Sequence, residues 1–442
     1  MDNLVQMTLR PPRPLTANDY KTLWLATLGG SLEFYDFISF VFFANIIGDL
    51  FFPPEIPAWV RQFQTFGIFA AGYLARPLGG IVMAHAGDLR GRKQMFTLGI
   101  SLMGLSTLGI GLLPTYAHLG IWAPVLLLLC RILQGVAVGG EVPGAWVFVS
   151  EHVPSSRVGL ACGILTGGLT GGILLGSLVA TGLNLLMSPV QCAAYGWRIP
   201  FLLGGAFGLL SVYLRRLLTE TPIFEDLKAR RALAAEMPLR AVVRNHSAGV
   251  VLSGLLTWML SAAIVVIILM TPALMEKIYG VPVLAALQAN SLATIALIVG
   301  CVFAGWLTDR FGPRRVLLSG CPMLVISAYL LYIGVSLNPL LVTPLYLLAG
   351  FSVGVVAVVP FIMIAAFPPA IRFSGVSFSY NIAYAIFGGM TPIIVTWLLR
   401  FDQLAPAHYT GVLGLLGFGI GISLTGRLPN KVIPFIGFSR TN

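Results

Sequence analysis

Charge is what this sequence has least of. Only 10% of its 442 residues are Asp, Glu, Lys or Arg, and just 16 of those are acidic. A soluble globular chain carries about a quarter charged residues, so a water-exposed surface of ordinary composition is excluded. Cysteines number 5, at positions 130, 162, 192, 301 and 321. An odd count at wide, unpatterned spacing gives neither a disulfide frame nor a metal site. No His/Cys/Asp constellation has the spacing of a metal centre or an activated nucleophile, which argues against an enzyme and against a metal or other cofactor. The first residues are polar and broken by Pro11, Pro12 and Pro14, and the first apolar run is too long for a leader, so no cleavable signal is expected.

Apolar residues fill the space that charge leaves: 57% of the chain is hydrophobic and mean hydropathy is +0.89. Runs bounded by Pro, Gly, Asn and charge give twelve candidate helices, each long enough for a ~30 Å hydrocarbon core. They cover 22–50, 58–84, 94–113, 120–148, 159–187, 199–218, 247–275, 285–307, 315–336, 341–366, 374–399 and 407–427. The fold class is therefore an all-α membrane protein of twelve transmembrane helices. The one long polar connection divides it into residues 1–218, a linker at 219–246, and 247–442. Placing both termini in the cytoplasm puts 21 of the 27 Lys and Arg in inner segments and four, Arg61, Arg198, Lys277 and Arg400, in outer loops. Basic residues concentrate in cytoplasmic loops, so the net charge of +11 reports topology in a cell inner membrane and implies no nucleic-acid partner.

Acid inside the first span stands out. Glu33 and Asp36 are three residues apart, hence on one helix face about 4.5 Å apart in height. A charge near the bilayer centre costs at least ~2.5 kcal/mol, and such groups face a protein interior or a water-filled path. The fourth span carries Arg131, Gln134 and Glu141; both Arg131 and Asp36 fall near mid-membrane by residue count, and Arg131 is expected to face the two acids directly. Arg keeps its charge and offers a planar fork to a substrate carboxylate, while an acid released by its Arg can take a proton. A permanent bridge that only fixes helix packing is the alternative. Asp36, Glu33 and Glu141 are the proton-coupling candidates. Arg131, Gln134 and Tyr35 are the substrate-binding candidates of the first half. Trp258, Tyr380, Asn381 and Tyr384 are those of the second half, which has no acid inside a span.

A repeat supports two halves. Gly87-Asp88-Leu89-Arg90-Gly91-Arg92-Lys93 follows the second span and Asp309-Arg310-Phe311-Gly312-Pro313-Arg314-Arg315 the eighth, the aspartates lying 221 residues apart. Two halves repeated in parallel with a site between them is a recurrent transporter plan. These turns resemble the Gly-x-x-x-Asp-Arg-x-Gly-Arg-Arg signature of the major facilitator superfamily. The second copy follows it from Gly305 apart from Pro313; in the first, Ala84 replaces the leading glycine and Leu89 the usual base. Four further groups resemble that superfamily's metabolite:proton symporter branch, whose permeases take proline/betaine, α-ketoglutarate, shikimate or citrate. They are Leu32-Glu33-Phe34-Tyr35-Asp36-Phe37, Arg76-Pro77-Leu78-Gly79-Gly80, Gln134-Gly135 with Gly139-Gly140-Glu141, and Gly196-Trp197-Arg198-Ile199-Pro200-Phe201 with Glu220-Thr221-Pro222.

The resemblance implies two pseudo-symmetric six-helix halves. It also implies a cytoplasmic gate drawn from Asp88, Arg90, Arg92, Glu151, Arg157, Asp309 and Arg310. The fifth span lacks the Gly-Pro-Gly-Gly arrangement of drug/proton antiporters, which favours import. The expected function is proton-coupled import of a small organic acid or zwitterionic carboxylate by alternating access, as a monomer whose partners are that substrate, protons and the bilayer. An uncoupled uniporter or anion exchanger is the rival within transport; a polytopic enzyme or sensor is the rival from another class.

Overall fold

The computed structural model describes residues 14–90, 92–215 and 238–424, and every described element is helical. Among the described residues, ten helices are long and apolar enough to span a membrane, and two shorter apolar helices complete the set of twelve. They are α1 (Ala17–Phe42), α2 (Ala58–Arg90), α3 (Arg92–Leu112), α4 (Trp122–His152), α5 (Val158–Leu186), α6 (Arg198–Arg215), α7 (Ser247–Lys277), α8 (Val283–Phe311), α9 (Pro313–Leu337), α10 (Pro339–Ala365), α11 (Pro369–Leu398) and α12 (Ala405–Ser423). Most of the expected linker lies outside the described residues.

Local chemistry sets several boundaries. Thr16 caps α1 in a reciprocal box: its hydroxyl accepts from Asp19 N, and the Asp19 carboxylate accepts from Thr16 N at 2.8 Å. Gly312, at φ 83°, makes the turn from α8 to α9 that a side chain would strain, and Pro313 starts α9 where a missing N–H is harmless. The expected break before Gly87 does not occur, and α2 stays helical to Arg90.

The packing repeats after six helices. In the first six, α1 packs on α5, α2 on α4 and α3 on α6; in the last six, α7 packs on α11, α8 on α10 and α9 on α12. The two bundles meet through α2 against α11 and α5 against α8, contacts that exchange under the same shift of six. Glycine makes these crossings close. A Cβ at Gly139 would lie 2.1 Å from Arg76 O, and one at Gly163 would lie 2.5 Å from Cys301 O. Backbones therefore touch, and in lipid such packing, not burial from water, holds helices together.

One side of the molecule carries the α2–α3 and α8–α9 turns, the end of α4 and the start of α11; with its Arg and Lys residues it is here called the basic side. There the bundles are tied together. Arg372 Nη1 donates to Glu151 Oε1 at 3.2 Å, with both side chains buried. Asp309 of α8 accepts from the backbone N–H groups of Gly159 and Leu160 at 2.6 and 2.8 Å, closing the N-terminus of α5. Ser377 and Asn381 of α11 donate to Gly80 O and Gly139 O at 3.0 and 2.7 Å. The basic side is closed.

Candidate functional site

Inward of this closure the helices enclose a small cavity. Arg76, Val138, Ile173, Ile264 and Tyr384 line it, and each lies within about two residues of the midpoint of its helix, which puts the cavity at mid-membrane. Phe34 and Ile38 complete the α1 wall, Tyr73 the α2 wall and Leu269 the α7 wall. Its volume of about 20 Å³ has room for a single water. Two walls are locally unwound: α7 forms a π-helical segment at Val265–Met270, and α11 one at Tyr384–Gly388 that starts on the lining tyrosine. Such widened turns recur at functional sites.

Arg76 is the cavity's cation, and the sequence reading gave it no role. Its side chain is 1% exposed, and its guanidinium carbon lies 4.1, 5.4 and 5.7 Å from the ring centroids of Tyr384, Tyr380 and Tyr73. Tyr73 and Tyr384 stack in parallel at 5.7 Å, and Tyr380 stands edge-on to Trp146 at 5.1 Å. The guanidinium thus rests on rings from both bundles, a favourable arrangement where water is scarce. Nε and Nη2 have no hydrogen-bond partner. Two buried N–H donors on a fixed cation have the chemistry to hold a carboxylate. A signal was present: an Arg in mid-span is a functional candidate by default, and Tyr73 precedes it by three residues.

Asp36 does not face this cavity. Phe34 and Ile38 turn into it, and a step of two residues is a rotation of 200°, so Asp36 points the opposite way, between α3 and α6. It is 2% exposed, its Oδ2 accepts from Thr107 Oγ1 at 3.3 Å, and Gly204 approaches so closely that a Cβ there would meet Oδ1 at 2.1 Å. The expected direct pairing with Arg131 is replaced by a chain. Arg131 Nη1 donates to Gln134 Oε1 at 2.7 Å, Gln134 Nε2 donates to Thr107 Oγ1 at 2.7 Å, and Thr107 donates to Asp36. Arg131 is fully buried and lies over Phe40 and Phe69 at 4.6 and 5.1 Å. The Glu33 side chain is outside the described residues.

Other candidates divide between the cavity and elsewhere. Tyr380 and Tyr384 meet at the site. Tyr35 turns away, its hydroxyl donating to Pro200 O at 3.0 Å, because it shares the α6-facing side of α1. Trp258 lies inside the second bundle, its Nε1 donating to Tyr409 at 3.0 Å and its ring stacked on Phe387. Asn381 serves the junction between bundles, since its amide reaches the α4 backbone. Glu141 is buried against Gly99 of α3. At the basic side, Glu151 and Asp309 bridge the bundles, and Arg157 acts electrostatically on Asp309. Arg310 is exposed and lies over Trp306 and Phe311 of its own helix, an anchoring position with no bridge to the other bundle among the described residues. The side chains of Asp88, Arg90 and Arg92 are outside the described residues. Arg372, the partner of Glu151, was missed because the repeat drew attention only to the tight turns.

The bridge between Glu151 and Arg372 gives a test of the closure. Removing one partner of a buried pair strands the other at a cost of about 3–5 kcal/mol. Arg372→Ala should therefore favour opening of the basic side. A cysteine placed at Ser377 on a cysteine-free background should then be alkylated at least roughly tenfold faster, each 1.4 kcal/mol being tenfold in population. The exchanged pair Glu151→Arg with Arg372→Glu should return the rate toward its starting value. Unchanged alkylation in Arg372→Ala would remove the pair from the gate.

Two repeated sextets of membrane-crossing helices, tied together on one side around a mid-membrane cavity, define a polytopic carrier. The model of the Major Facilitator Superfamily matches residues 38–392, and the chain belongs to that superfamily, whose members are transporters and not enzymes. A putative proline/betaine transporter of Staphylococcus aureus is 33% identical over 438 residues, covering 93% of this chain and 91% of the relative. The proline/betaine transporter of Salmonella typhimurium is 31% identical over 435 residues, covering 93% and 85%. Among solved structures, the proton:xylose symporter XylE bound to 6-bromo-6-deoxy-D-glucose superposes with a TM-score of 0.76 at 17% identity, over 92% of this chain and 95% of that one. That likeness is one of fold.

Proposed function

We propose that this transporter is a proton-coupled symporter that imports a small zwitterionic carboxylate across the plasma membrane, with the basic side and both termini in the cytoplasm. The observation that carries this reading is Arg76, a buried cation whose unpartnered N–H groups stand beside three tyrosine rings. The substrate carboxylate takes the guanidinium fork, and its cationic end meets the electron-rich ring faces. A single arginine balances a single carboxylate; a di- or tricarboxylate would bring negative charge for which the described cavity lining offers no second cation. The relatives named for proline and betaine agree with a zwitterion.

Asp36 carries the coupled proton. Hydrogen bonds join it through Thr107 and Gln134 to Arg131, which lies over Phe69, the ring packed on the cavity's Tyr73, so a movement of that wall on substrate binding would be felt at Asp36 through the chain. Uniport or exchange without a proton is the rival reading. Proteoliposomes offered radiolabelled proline, glycine betaine, α-ketoglutarate and citrate, with and without an imposed inward proton gradient, separate the two. Gradient-driven accumulation of a zwitterion is expected. Equal uptake with and without the gradient would favour the rival, and accumulation of citrate alone would overturn the substrate assignment.

A further inference from the structure

We propose that the proton leaves Asp36 for the cytoplasm through a crevice inside the first bundle, separate from the substrate cavity, with Ser211 as its polar relay. This rests on the coupling role given to Asp36 above. A second small cavity, of about 10 Å³, lies between α1, α3 and α6, with Asp36 at one of its walls. Each helix supplies a row that runs from the level of Asp36 toward the basic side. On α1 the row is Asp36, Leu32 and Gly29. On α3 it runs from Thr107, which holds Asp36, through Gly104 and Met103 to Ile100. On α6 it runs from Gly204, pressed on Asp36, through Gly208 to Ser211. Every row spans seven residues, or about 10 Å along the helix. Three helices thus agree on the direction and length of the path.

Two polar atoms in this apolar crevice lack partners. Asp36 Oδ1 and Ser211 Oγ have no hydrogen bond, and both residues are 2% exposed. A buried polar atom left unpaired costs about 1–3 kcal/mol, so a function or a bridging water is implied. The cavity has room for one water, which needs such partners to reside there. Between Gly204 and Ser211 the path narrows where Gly104 meets Gly208, a contact of two backbones with no side chain across it. Waters passing there would complete a wire of a few hydrogen bonds from the carboxyl to the hydroxyl, and α6 reaches the basic end one turn further on, at Arg215. Asp36 is the titratable residue among the described crevice lining. The substrate cavity lies on the opposite face of α1, so substrate and proton have different exits.

The test reads proton access to Asp36 directly and needs no transported substrate. Infrared spectroscopy of the full-length protein in lipid should show a protonated-carboxyl band that is absent in Asp36→Asn, and the rate at which that band shifts after transfer to deuterated buffer reports access. Ser211→Val, which fills the crevice and removes the hydroxyl, should slow the shift roughly tenfold or more, whereas Ser211→Thr should keep it within about twofold of wild type. An unchanged rate in Ser211→Val overturns the path, and equal slowing in both variants overturns it by assigning Ser211 to packing alone. Absence of an Asp36 band from about pH 4 to pH 9 overturns the coupling role and the path together, which distinguishes that failure from a failure of the path alone.

Discussion

Arg76→Gln should abolish high-affinity substrate binding. Truncating one partner of a buried, hydrogen-bonded charge pair costs about 2–5 kcal/mol, so the dissociation constant for glycine betaine should rise by roughly 30-fold to several thousandfold. Uptake and counterflow should both collapse, because neither proceeds without binding. Arg76→Lys should recover only part of the affinity, since an ammonium is a point charge and cannot reproduce the two-pronged contact. The variant has a second effect. Arg76 of the first bundle rests on Tyr380 and Tyr384 of the second, so its loss also removes a contact that holds the bundles together at the cavity. Calorimetry on protein in nanodiscs isolates the binding effect; an unchanged dissociation constant in Arg76→Gln would make the residue a packing element.

Asp36→Asn should separate exchange from accumulation. Asparagine resembles a permanently protonated carboxyl group and still accepts from Thr107, so the site should load and unload substrate. The variant should therefore perform counterflow near the wild-type rate but fail to concentrate substrate under a proton gradient. Wild-type uptake should fall as external pH rises, because the coupled proton is taken from outside, and the variant's counterflow should be flat over the same range. Normal accumulation by Asp36→Asn would shift the search to Glu33 and then Glu141.

Much of the architecture is legible in the sequence because its causes are local. Hydrocarbon thickness fixes span length, glycine and charge mark the turns, and the paired Asp-containing turns disclose the repeat. The site is legible only in part. Helical periodicity tells that Glu33 and Asp36 share a face but not which neighbour that face meets, and this is where the expected contact between Arg131 and Asp36 gave way to a chain through Gln134 and Thr107. The same uncertainty of rotation led Tyr35 and Trp258 to be placed in a cavity that they turn away from. Phe34 and Ile38 could have helped: two large apolar residues 200° from Asp36 leave one face for the cavity and the other for the bundle interior. Arg76 and Tyr73 were readable as an intramembrane cation with an aromatic one turn away. Thr107, Ser211 and Arg372 were not, since a lone hydroxyl or a lone base at a helix end gains meaning only from a partner on another helix.

The central claim is that Asp36 couples proton entry to zwitterion entry. The most direct measurement is substrate-driven proton entry: proteoliposomes loaded with a pH-sensitive dye, held without any initial pH gradient, receive external glycine betaine while labelled substrate and internal pH are followed together. Internal acidification should track substrate entry in the wild type and be absent in Asp36→Asn, although counterflow persists there. Substrate entry without acidification in the wild type, or undiminished acidification in Asp36→Asn, would contradict that claim.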